Sequence, residues 1–216
     1  MATDQFEREC WAEGKLLAGF DESGMGCLAG HMTVAGVIFP KNFDFSFLPG
    51  LDDSKKLTEE KRFELEPLIK KSALHWFCSE ATAAETDACK TATFNIYWLR
   101  FKMIEDYLFE NAAILPTNII TYMDGNKPLV KNHYENRCMV KGDSKVLTIS
   151  AASVLAKCRK DAHMNVASEL YPEFGFSVNK GYWSKEHEEA IIEFGPTPIH
   201  RLLYLRNIEW DRNKKR

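Results

Sequence analysis

The sequence predicts an α/β fold with a helical carboxyl-terminal extension. Runs typical of buried strands gather in the first two thirds of the chain, whereas helical patterns dominate the last third. The 216 residues, 45% hydrophobic and 27% charged, are enough to form a sizeable core. We divide the chain, as one structural unit, into an amino-terminal arm at 1–14, an α/β core at 15–165 and the extension at 166–216.

The first half of the core carries strand signals on both sides of one helix. Residues 1–14 have the pattern of a short helix or arm. Apolar runs predict strands at 16–20, 32–39 and 74–81. Thr58 and the acids after it predict a helix start, because a hydroxyl caps the free amides and carboxylates favour the positive first turn.

The second half begins with the longest helical pattern of the chain, at residues 91–112, where apolar side chains recur at three- and four-residue steps. A strand is expected at 118–123, and a shorter one within 137–143. Helices are expected at 145–170 and 186–194. Small side chains in the first of these two helices would allow close packing against a sheet.

Charge and cysteine content narrow the classes of function. The formal net charge of −3 argues against bulk electrostatic binding of nucleic acid but leaves local basic patches open. The six cysteines include no Cys-x-x-Cys pair, so neither a zinc site nor a disulfide framework is indicated. The amino terminus is too polar for a signal peptide, and no apolar run reaches membrane-spanning length. We therefore expect a cytoplasmic protein that is not secreted and does not contact a membrane.

Residues 19–30 form a glycine-rich link between two predicted strands. Asp21 and Glu22 stand where the core gives way to glycine. Because successive strand side chains point to opposite faces, these carboxylates can share one site only if the backbone bends. Gly24 and Gly26 permit a bend and the close approach of a ligand. The alternative is a polar turn with acids at its start, because Gly-x-Gly is a weak motif by itself.

Two further acids lie at glycine-flanked positions. Asp124 ends a predicted strand, where α/β proteins place their sites, and Asp143 follows Lys-Gly. If these acids converge with Asp21 and Glu22, their mutual repulsion favours a hard divalent cation. The absence of a matching His or Cys pattern favours Mg²⁺ or Mn²⁺ over Zn²⁺. The competing interpretation is a turn, since Asp-Gly is a common hairpin dipeptide.

A four-carboxylate cluster suits phosphodiester hydrolysis. Two metal ions roughly 4 Å apart can activate a water and stabilise the leaving oxygen of an in-line displacement at phosphorus. Nearby basic residues could neutralise a polynucleotide backbone; they are Lys55, Lys56, Lys141, Lys145, Lys157 and Arg159. A glycosidase would leave two of the four acids without a role. Ser/His/Asp catalysis finds no nucleophile-elbow motif.

Seven motifs in order make the chain resemble the type 2 ribonucleases H, the ribonuclease HII family, from about residue 16 to 204. They are Gly-Phe-Asp-Glu-Ser-Gly-Met-Gly at 19–26, Asp-Ser-Lys-Lys-Leu at 53–57, Met-Asp-Gly at 123–125, Lys-Gly-Asp at 141–143, Ser-Ala-Ala-Ser-Val-Leu-Ala-Lys at 150–157, Lys-Gly-Tyr at 180–182, and His187 with Gly-Pro-Thr-Pro-Ile-His-Arg at 195–201. The Lys-Gly-Asp and Ile-His-Arg forms are closer to the bacterial single-chain branch than to the catalytic subunit of the eukaryotic trimer.

This resemblance implies an RNase H-like fold, with a central mixed sheet flanked by helices and a helical carboxyl-terminal extension. It implies that Asp21, Glu22, Asp124 and Asp143 are the catalytic, metal-binding carboxylates. The implied activity is cleavage of the RNA strand of RNA/DNA hybrids. It also includes cutting on the 5′ side of a ribonucleotide embedded in duplex DNA, leaving a 3′-hydroxyl and a 5′-phosphate. Two Mg²⁺ or Mn²⁺ ions would serve as cofactors.

The same resemblance implies the substrate contacts. In the family, a Gly-Arg-Gly turn reads the 2′-hydroxyl through backbone groups, and the tyrosine of Lys-Gly-Tyr packs on the sugar at the RNA–DNA junction. These roles fall to Gly24, Gly26 and Tyr182, and the 2′-hydroxyl is what distinguishes RNA from DNA. Further substrate-binding positions by this reasoning are Met25, Lys55, Ser153, Lys157 and Lys180.

The sequence departs from the family pattern at several positions. Met25 replaces the arginine of Gly-Arg-Gly and removes a cation that would hold a phosphate, which predicts weaker or slower action at the junction with 2′-hydroxyl reading partly kept. Trp183-Ser184 stands where the family has Gly-Thr, and Leu202-Leu203-Tyr204 replaces the usual Ser-Phe ending. Residues 83–102 follow the family pattern poorly, and we assign no function to them.

Two alternatives to the ribonuclease stay open. One is a hybrid- or junction-binding protein of the same fold whose cleavage is impaired by Met25. The other is a different nuclease with an RNase H-like fold, such as a resolvase or a repair endonuclease. Retention of four acids favours an enzyme, because without metal such a cluster only repels phosphate. We expect a monomer; the sequence indicates neither the preferred metal nor whether a sliding clamp recruits the protein.

Overall fold

The computed structural model describes residues 2–89, 95–131 and 133–211. Five strands are present in these ranges: β1 Leu16–Ser23, β2 Met32–Ile38, β3 His75–Ala81, β4 Ile119–Asp124 and β5 Glu135–Met139. The helices of the same ranges are α1 Gln5–Ala12, α2 Glu59–Ser72, α3 Ala83–Ala88, α4 Ile96–Glu110, α5 Leu147–Leu170, α6 Phe176–Asn179 and α7 Lys185–Phe194. None of these helices has both the length and the apolar character needed to cross a membrane.

The chain divides into two compact units that draw on interleaved segments. Unit 1 comprises Met1–Glu22, Val34–Ser79 and Arg100–Cys158. Unit 2 comprises Ser23–Thr33, Glu80–Leu99 and Arg159–Arg216. The division into 1–14, 15–165 and 166–216 stays a prediction.

The strands form one mixed five-stranded sheet in the order β3-β2-β1-β4-β5. β1 pairs with β4 and β4 with β5, both in parallel. The register places Phe20 beside Met123, so the next positions along the two strands, Asp21 and Asp124, are neighbours. Because β1, β4 and β5 run in the same direction, their carboxyl ends meet at one edge of the sheet.

Helices α2 and α5 pack against strand β2 in unit 1. Ala35 and Val37 of β2, Leu65 and Ile69 of α2 and the small side chains of α5 form one buried cluster. At Gly19 of β1, an added Cβ would lie 2.7 Å from the carbonyl carbon of Thr148. Since no side chain fits there, glycine lets α5 lie directly on β1, as its small residues predicted.

The structure corrects two expectations about the elements. Asp21 and Glu22 were expected in a turn, but β1 continues through Ser23, so both acids lie within the strand. The longest described helix is α5, with 24 residues, and not the 91–112 pattern. Within that pattern α4 begins at Ile96, and residues 91–94 lie outside the described residues. The strands predicted at 32–39, 74–81 and 118–123, the helix capped by Thr58 and the helix starting near 145 are confirmed. The strand predicted within 137–143 lies earlier, at Glu135–Met139, because the chain turns into the 3₁₀ helix Gly142–Ser144 after it.

Candidate active site

Four carboxylates gather at one edge of the sheet in unit 1. Asp21 and Glu22 lie near the end of β1, and Asp124 is the last residue of β4. Asp143 lies in the 3₁₀ turn Gly142–Ser144, which follows β5. Parallel strand ends therefore bring together acids that are far apart in sequence. Asp21 and Asp143, the most distant pair, are 122 residues apart. The acids therefore converge, which the sequence left as a condition.

Burial and repulsion make this cluster electrostatically unfavourable. Asp21 is 4% exposed, and burial, followed by repulsion from Glu22 and Asp124, raises its pKa well above the usual range. The pKa of Asp143 is raised by burial and then by Asp124 and Asp53. Such carboxyls gain most from a bound cation, and an all-oxygen donor set suits Mg²⁺ or Mn²⁺. The residues present therefore fit the divalent metals that the ribonuclease interpretation implies.

Two of the carboxylates, Glu22 and Asp124, are held by partners of their own. The Arg100 guanidinium lies 2.6 Å from Glu22 Oε2, with its side chain 4% exposed. Burial raises the pKa of Glu22, while Arg100 opposes that shift. The amide of Gly142 donates a 2.7 Å hydrogen bond to Asp124 Oδ1. These contacts fix the carboxylate orientations before any ligand arrives.

Arg100 and Asp53 are site residues that the sequence reasoning missed. Arg100 belongs to the stretch 83–102, to which we assign no function, and its signal is a cation next to Phe101 within an apolar part of the helix. Asp53 accepts a hydrogen bond from the Ser144 hydroxyl at 3.2 Å, next to Asp143. Its signal was its place at the start of the 53–57 motif.

The predicted substrate-binding residues of unit 1 differ in their exposure and in their contacts. Ser153 is 3% exposed; it donates a hydrogen bond to Asp21, and its hydroxyl lies 2.8 Å from that of Ser54. Lys55 carries a side chain that is 78% exposed, with Nζ 3.7 Å from Asp143 Oδ2. Lys157 is half-buried. Lys55 is thus accessible to a substrate phosphate, whereas Ser153 is buried and donates its hydrogen bond to the Asp21 carboxylate.

In unit 2, residues 24–27 form a tight turn, with the Cys27 amide 3.4 Å from the Gly24 carbonyl oxygen. Gly24 has φ +86°, and a Cβ there would lie 2.7 Å from the His31 carbonyl oxygen. Gly26 is exposed, and a Cβ there would meet nothing within 4 Å. The fold thus requires glycine at position 24 but not at 26.

A buried arginine holds the carbonyl groups around this turn. Arg201 is 0% exposed and donates to the Gly30 carbonyl oxygen through Nε and Nη2, at 3.1 and 2.9 Å. Its Nη1 donates to the Met25 carbonyl oxygen at 3.1 Å, and the Tyr204 hydroxyl donates to the same oxygen at 3.3 Å. The arginine of the Ile-His-Arg motif therefore supports the Gly-Met-Gly turn.

The Lys-Gly-Tyr segment packs against the chain that follows this turn. The amides of Leu28 and Ala29 donate to the Gly181 carbonyl oxygen at 2.8 and 3.1 Å. Tyr182 is 38% exposed, with Lys160 Nζ 4.3 Å from its ring centroid. Burial, more than any neighbouring group, raises the pKa of its hydroxyl. Lys180 is half-buried and donates from Nζ to Asn165, so it is engaged within unit 2.

A chain of neutral histidines fixes the backbone at Tyr182. His187 Nδ1 lies 2.8 Å from the Tyr182 carbonyl oxygen, which can only accept, so Nδ1 carries the proton. His187 Nε2 is then an acceptor for His200 Nε2, 3.0 Å away. His200 Nδ1 in turn accepts from the Thr197 amide and hydroxyl at 3.0 and 2.8 Å. A proton added to either ring would break this chain.

We expect unit 2 to lose stability on acidification through these histidines. Burial, followed by His187, lowers the pKa of His200 to about 3. Because an unfolded histidine has a pKa near 6.5, the unfolded chain takes up a proton that the folded protein does not, and stability falls as pH drops below about 6.5. Between pH 7 and 5 the loss amounts to about 2 kcal/mol.

Urea unfolding at several pH values tests this expectation. His200→Gln should flatten the pH dependence in this window, whereas the same change at the exposed His133 should leave it unaltered. Identical pH slopes for the wild type and His200→Gln would contradict the neutral-histidine chain.

Comparisons with known proteins agree with this geometry. Residues 18–207 match the family model described as Ribonuclease HII. The chain is 42% identical over 191 residues to the Ribonuclease HII of Neisseria meningitidis serogroup C (strain 053442), covering 86% of this chain and 90% of that protein. It is similar to the crystal structure of the ribonuclease H2 from Pyrococcus horikoshii OT3, with a TM-score of 0.73 and 25% identity over 90% of this chain and 97% of that one.

The crystal structure of Bst-RNase HIII in complex with Mn²⁺ is similar in fold, with a TM-score of 0.68 and 19% identity over 83% of this chain and 61% of that one. The predicted fold class, an RNase H-like mixed sheet flanked by helices with a helical carboxyl-terminal region, is confirmed.

Proposed function

The chain belongs to the ribonuclease HII family of metal-dependent endoribonucleases acting on RNA/DNA hybrids, and we propose that it also cuts 5′ of a ribonucleotide embedded in duplex DNA. The observation that carries the proposal is the gathering of Asp21, Glu22, Asp124 and Asp143 at one sheet edge. The products would be a 3′-hydroxyl and a 5′-phosphate. The substrates would be RNA/DNA hybrids and ribonucleotide-containing duplex DNA.

The four carboxylates would hold two divalent ions, Mg²⁺ or Mn²⁺. When bound, such ions supply a water activated for attack and stabilise the charge on the leaving oxygen. The chain's own part is to keep the donor oxygens in place. Arg100 orients Glu22, the Gly142 amide orients Asp124, and Ser153 orients Asp21. Lys55, exposed beside Asp143, is suited to contact a substrate phosphate.

Recognition of the ribonucleotide is assigned to unit 2. The open space at Gly26 supports the approach of a ligand to the backbone of the turn 24–27, where the 2′-hydroxyl would be read. The half-exposed ring of Tyr182 supports packing against a sugar, and its backbone is held by His187. Gly24, Met25, Lys157 and Lys180 remain proposed substrate-binding positions.

A paired substrate assay tests the proposed function. Duplex DNA with one ribonucleotide and a continuous RNA/DNA hybrid are incubated separately with Mg²⁺ and with Mn²⁺, and the cut positions and end groups are mapped. Cleavage 5′ of the single ribonucleotide is the expected result. Tight binding to that duplex without any cut would instead favour the junction-binding alternative.

Replacing Gly26 with alanine should impair recognition of the ribonucleotide without disturbing the fold. The added methyl group meets open space in the free protein but would obstruct a sugar lying against the turn. We expect the rate at a single embedded ribonucleotide to fall by roughly tenfold or more, equivalent to one lost hydrogen bond to the 2′-hydroxyl. Cleavage kinetics and the thermal midpoint are measured together.

Gly24→Ala is the matched control. It should lower the midpoint of thermal unfolding, because its Cβ meets the His31 carbonyl at a positive φ. A Gly26→Ala protein that cleaves at the wild-type rate would show that the turn does not contact the ribonucleotide.

Met25→Arg should raise activity on a single embedded ribonucleotide by roughly tenfold, since a guanidinium adds one charge-assisted contact to a phosphate. Met25 is half-buried in the turn, so the longer side chain can extend to solvent. The control is Met25→Gln, which is similar in length but uncharged. Equal rates for all three proteins at low salt would refute this account of the departure from Gly-Arg-Gly.

A further inference from the structure

Two histidines and a glutamate converge in unit 2, and none of the three is assigned above to substrate or catalytic metal. His31 directly precedes β2, Glu80 lies in β3, and His163 lies in α5. Each offers one ligand atom, and the three atoms lie within 4.8 Å of one another. The chain thus brings together residues that are far apart in sequence, in a combination of ligands typical of metal sites with three protein ligands.

The distances between ligand atoms suit a small tetrahedral site. His163 Nε2 lies 3.1 Å from Glu80 Oε1, and His31 Nδ1 lies 3.8 Å from the same oxygen. Ligands bound at about 2.0–2.1 Å in a tetrahedron are roughly 3.3 Å apart, between these two values. The rings of His31 and His163 meet edge to face, with their centroids 4.3 Å apart.

Two of the three ligand atoms are buried and make no hydrogen bond of good geometry, although His163 Nε2 lies 3.1 Å from one of them. His31 Nδ1 and Glu80 Oε1 are buried polar atoms for which the described residues provide no hydrogen bond. Leaving such atoms unsatisfied is unfavourable, and a metal ion at their midpoint would satisfy both. The other oxygen, Glu80 Oε2, lies 3.1 Å from Arg159 Nη2. Arg159 therefore orients the carboxylate so that Oε1 faces the histidines, as groups around metal ligands commonly do.

We propose that His31, Glu80 and His163 form a second metal site, which takes a borderline transition metal of the Zn²⁺ class. Imidazole nitrogen selects such ions over Mg²⁺, which prefers oxygen, so this site and the all-carboxylate cluster differ in their choice of metal. The ion would tie the segment before β2 and the strand β3 to α5 within unit 2. A tetrahedral ion with three protein ligands keeps its fourth position for water.

Titration of the full chain with Co²⁺ in excess Mg²⁺ tests the proposal. Mg²⁺ occupies the carboxylate cluster, and Co²⁺ in a four-coordinate site gives a visible absorption much stronger than that of a six-coordinate ion. We expect one equivalent of Co²⁺ to produce this spectrum and one equivalent of Zn²⁺ to remove it. Zn²⁺ at a hundredfold excess over its Kd should also raise the thermal midpoint by roughly 5–10 °C.

The variants make the assignment specific. Glu80→Gln nearly preserves the shape of the side chain and should weaken Co²⁺ binding by at least roughly a hundredfold, as should His163→Ala. His133→Ala, at an exposed histidine elsewhere, should bind like the wild type. An absent or Zn²⁺-insensitive spectrum, or one unchanged in Glu80→Gln, would overturn the proposal. Since Mg²⁺-dependent cleavage is assayed separately, failure here leaves the proposed function unaffected.

Discussion

Asp124→Asn is expected to lower the rate of hybrid cleavage by roughly a thousandfold, because a carboxylate that holds metal contributes several kcal/mol to stabilising the charge of the transition state. Asparagine retains the oxygen that accepts from the Gly142 amide at 2.7 Å, so the local geometry should persist. Single-turnover cleavage at saturating Mg²⁺ measures the loss. Full-rate cleavage by this variant would remove Asp124 from the catalytic set.

The same substitution should stabilise the protein in the absence of metal. Asp124 raises the pKa of Asp21, Glu22 and Asp143 by repulsion, so removing its charge relieves all three. We expect a gain of about 1 kcal/mol in the free energy of unfolding in the presence of a chelator at pH 7 to 8, where the carboxyls are driven to ionise. Opposite effects on activity and stability would separate a metal-binding role from a structural one.

Arg201→Met is the second large effect that we expect. The buried guanidinium donates three hydrogen bonds to the carbonyl oxygens of Met25 and Gly30, and methionine leaves those acceptors unsatisfied. The loss should reach about 3 kcal/mol or more in the free energy of unfolding. The free energy of unfolding of Arg201→Lys should lie between those of the wild type and Arg201→Met, because one ammonium cannot reproduce the planar fork of a guanidinium. Urea unfolding measures both variants.

Cleavage assays distinguish a specific role of Arg201 in supporting the turn from a general effect of Arg201 on stability. In Arg201→Lys at a temperature where the protein is folded, cleavage at a single ribonucleotide should fall more than cleavage of a continuous hybrid. Arg206→Met, at an exposed arginine nearby, should change stability by no more than about 0.5 kcal/mol. An Arg201→Lys protein as stable and selective as the wild type would contradict the role assigned to Arg201.

Local pattern and motif were sufficient for part of the fold and of the candidate site. Strands β2, β3 and β4 and the helix capped by Thr58 follow from signals contained in a few consecutive residues, and signals of the same kind propose the acids at positions 21, 22, 124 and 143. Such signals can be recognised in the sequence because turn glycines, helix caps and strand runs depend mainly on neighbouring residues. Local pattern failed at β1, which continues through Asp21 and Glu22 to Ser23 before the chain turns at Gly24.

The sequence by itself determined the α/β class and the family resemblance, and it proposed the four acids. Only the tertiary structure decided which distant groups serve them. Arg100 on Glu22, Arg201 on the Met25 carbonyl and the chain from His187 to His200 depend on contacts between segments far apart in sequence. In the sequence, an isolated arginine or histidine gives the same signal whether its side chain is solvated or buried in the folded protein. When such a side chain is buried, it must pair with another polar group, and the packing of the whole chain determines which group that is.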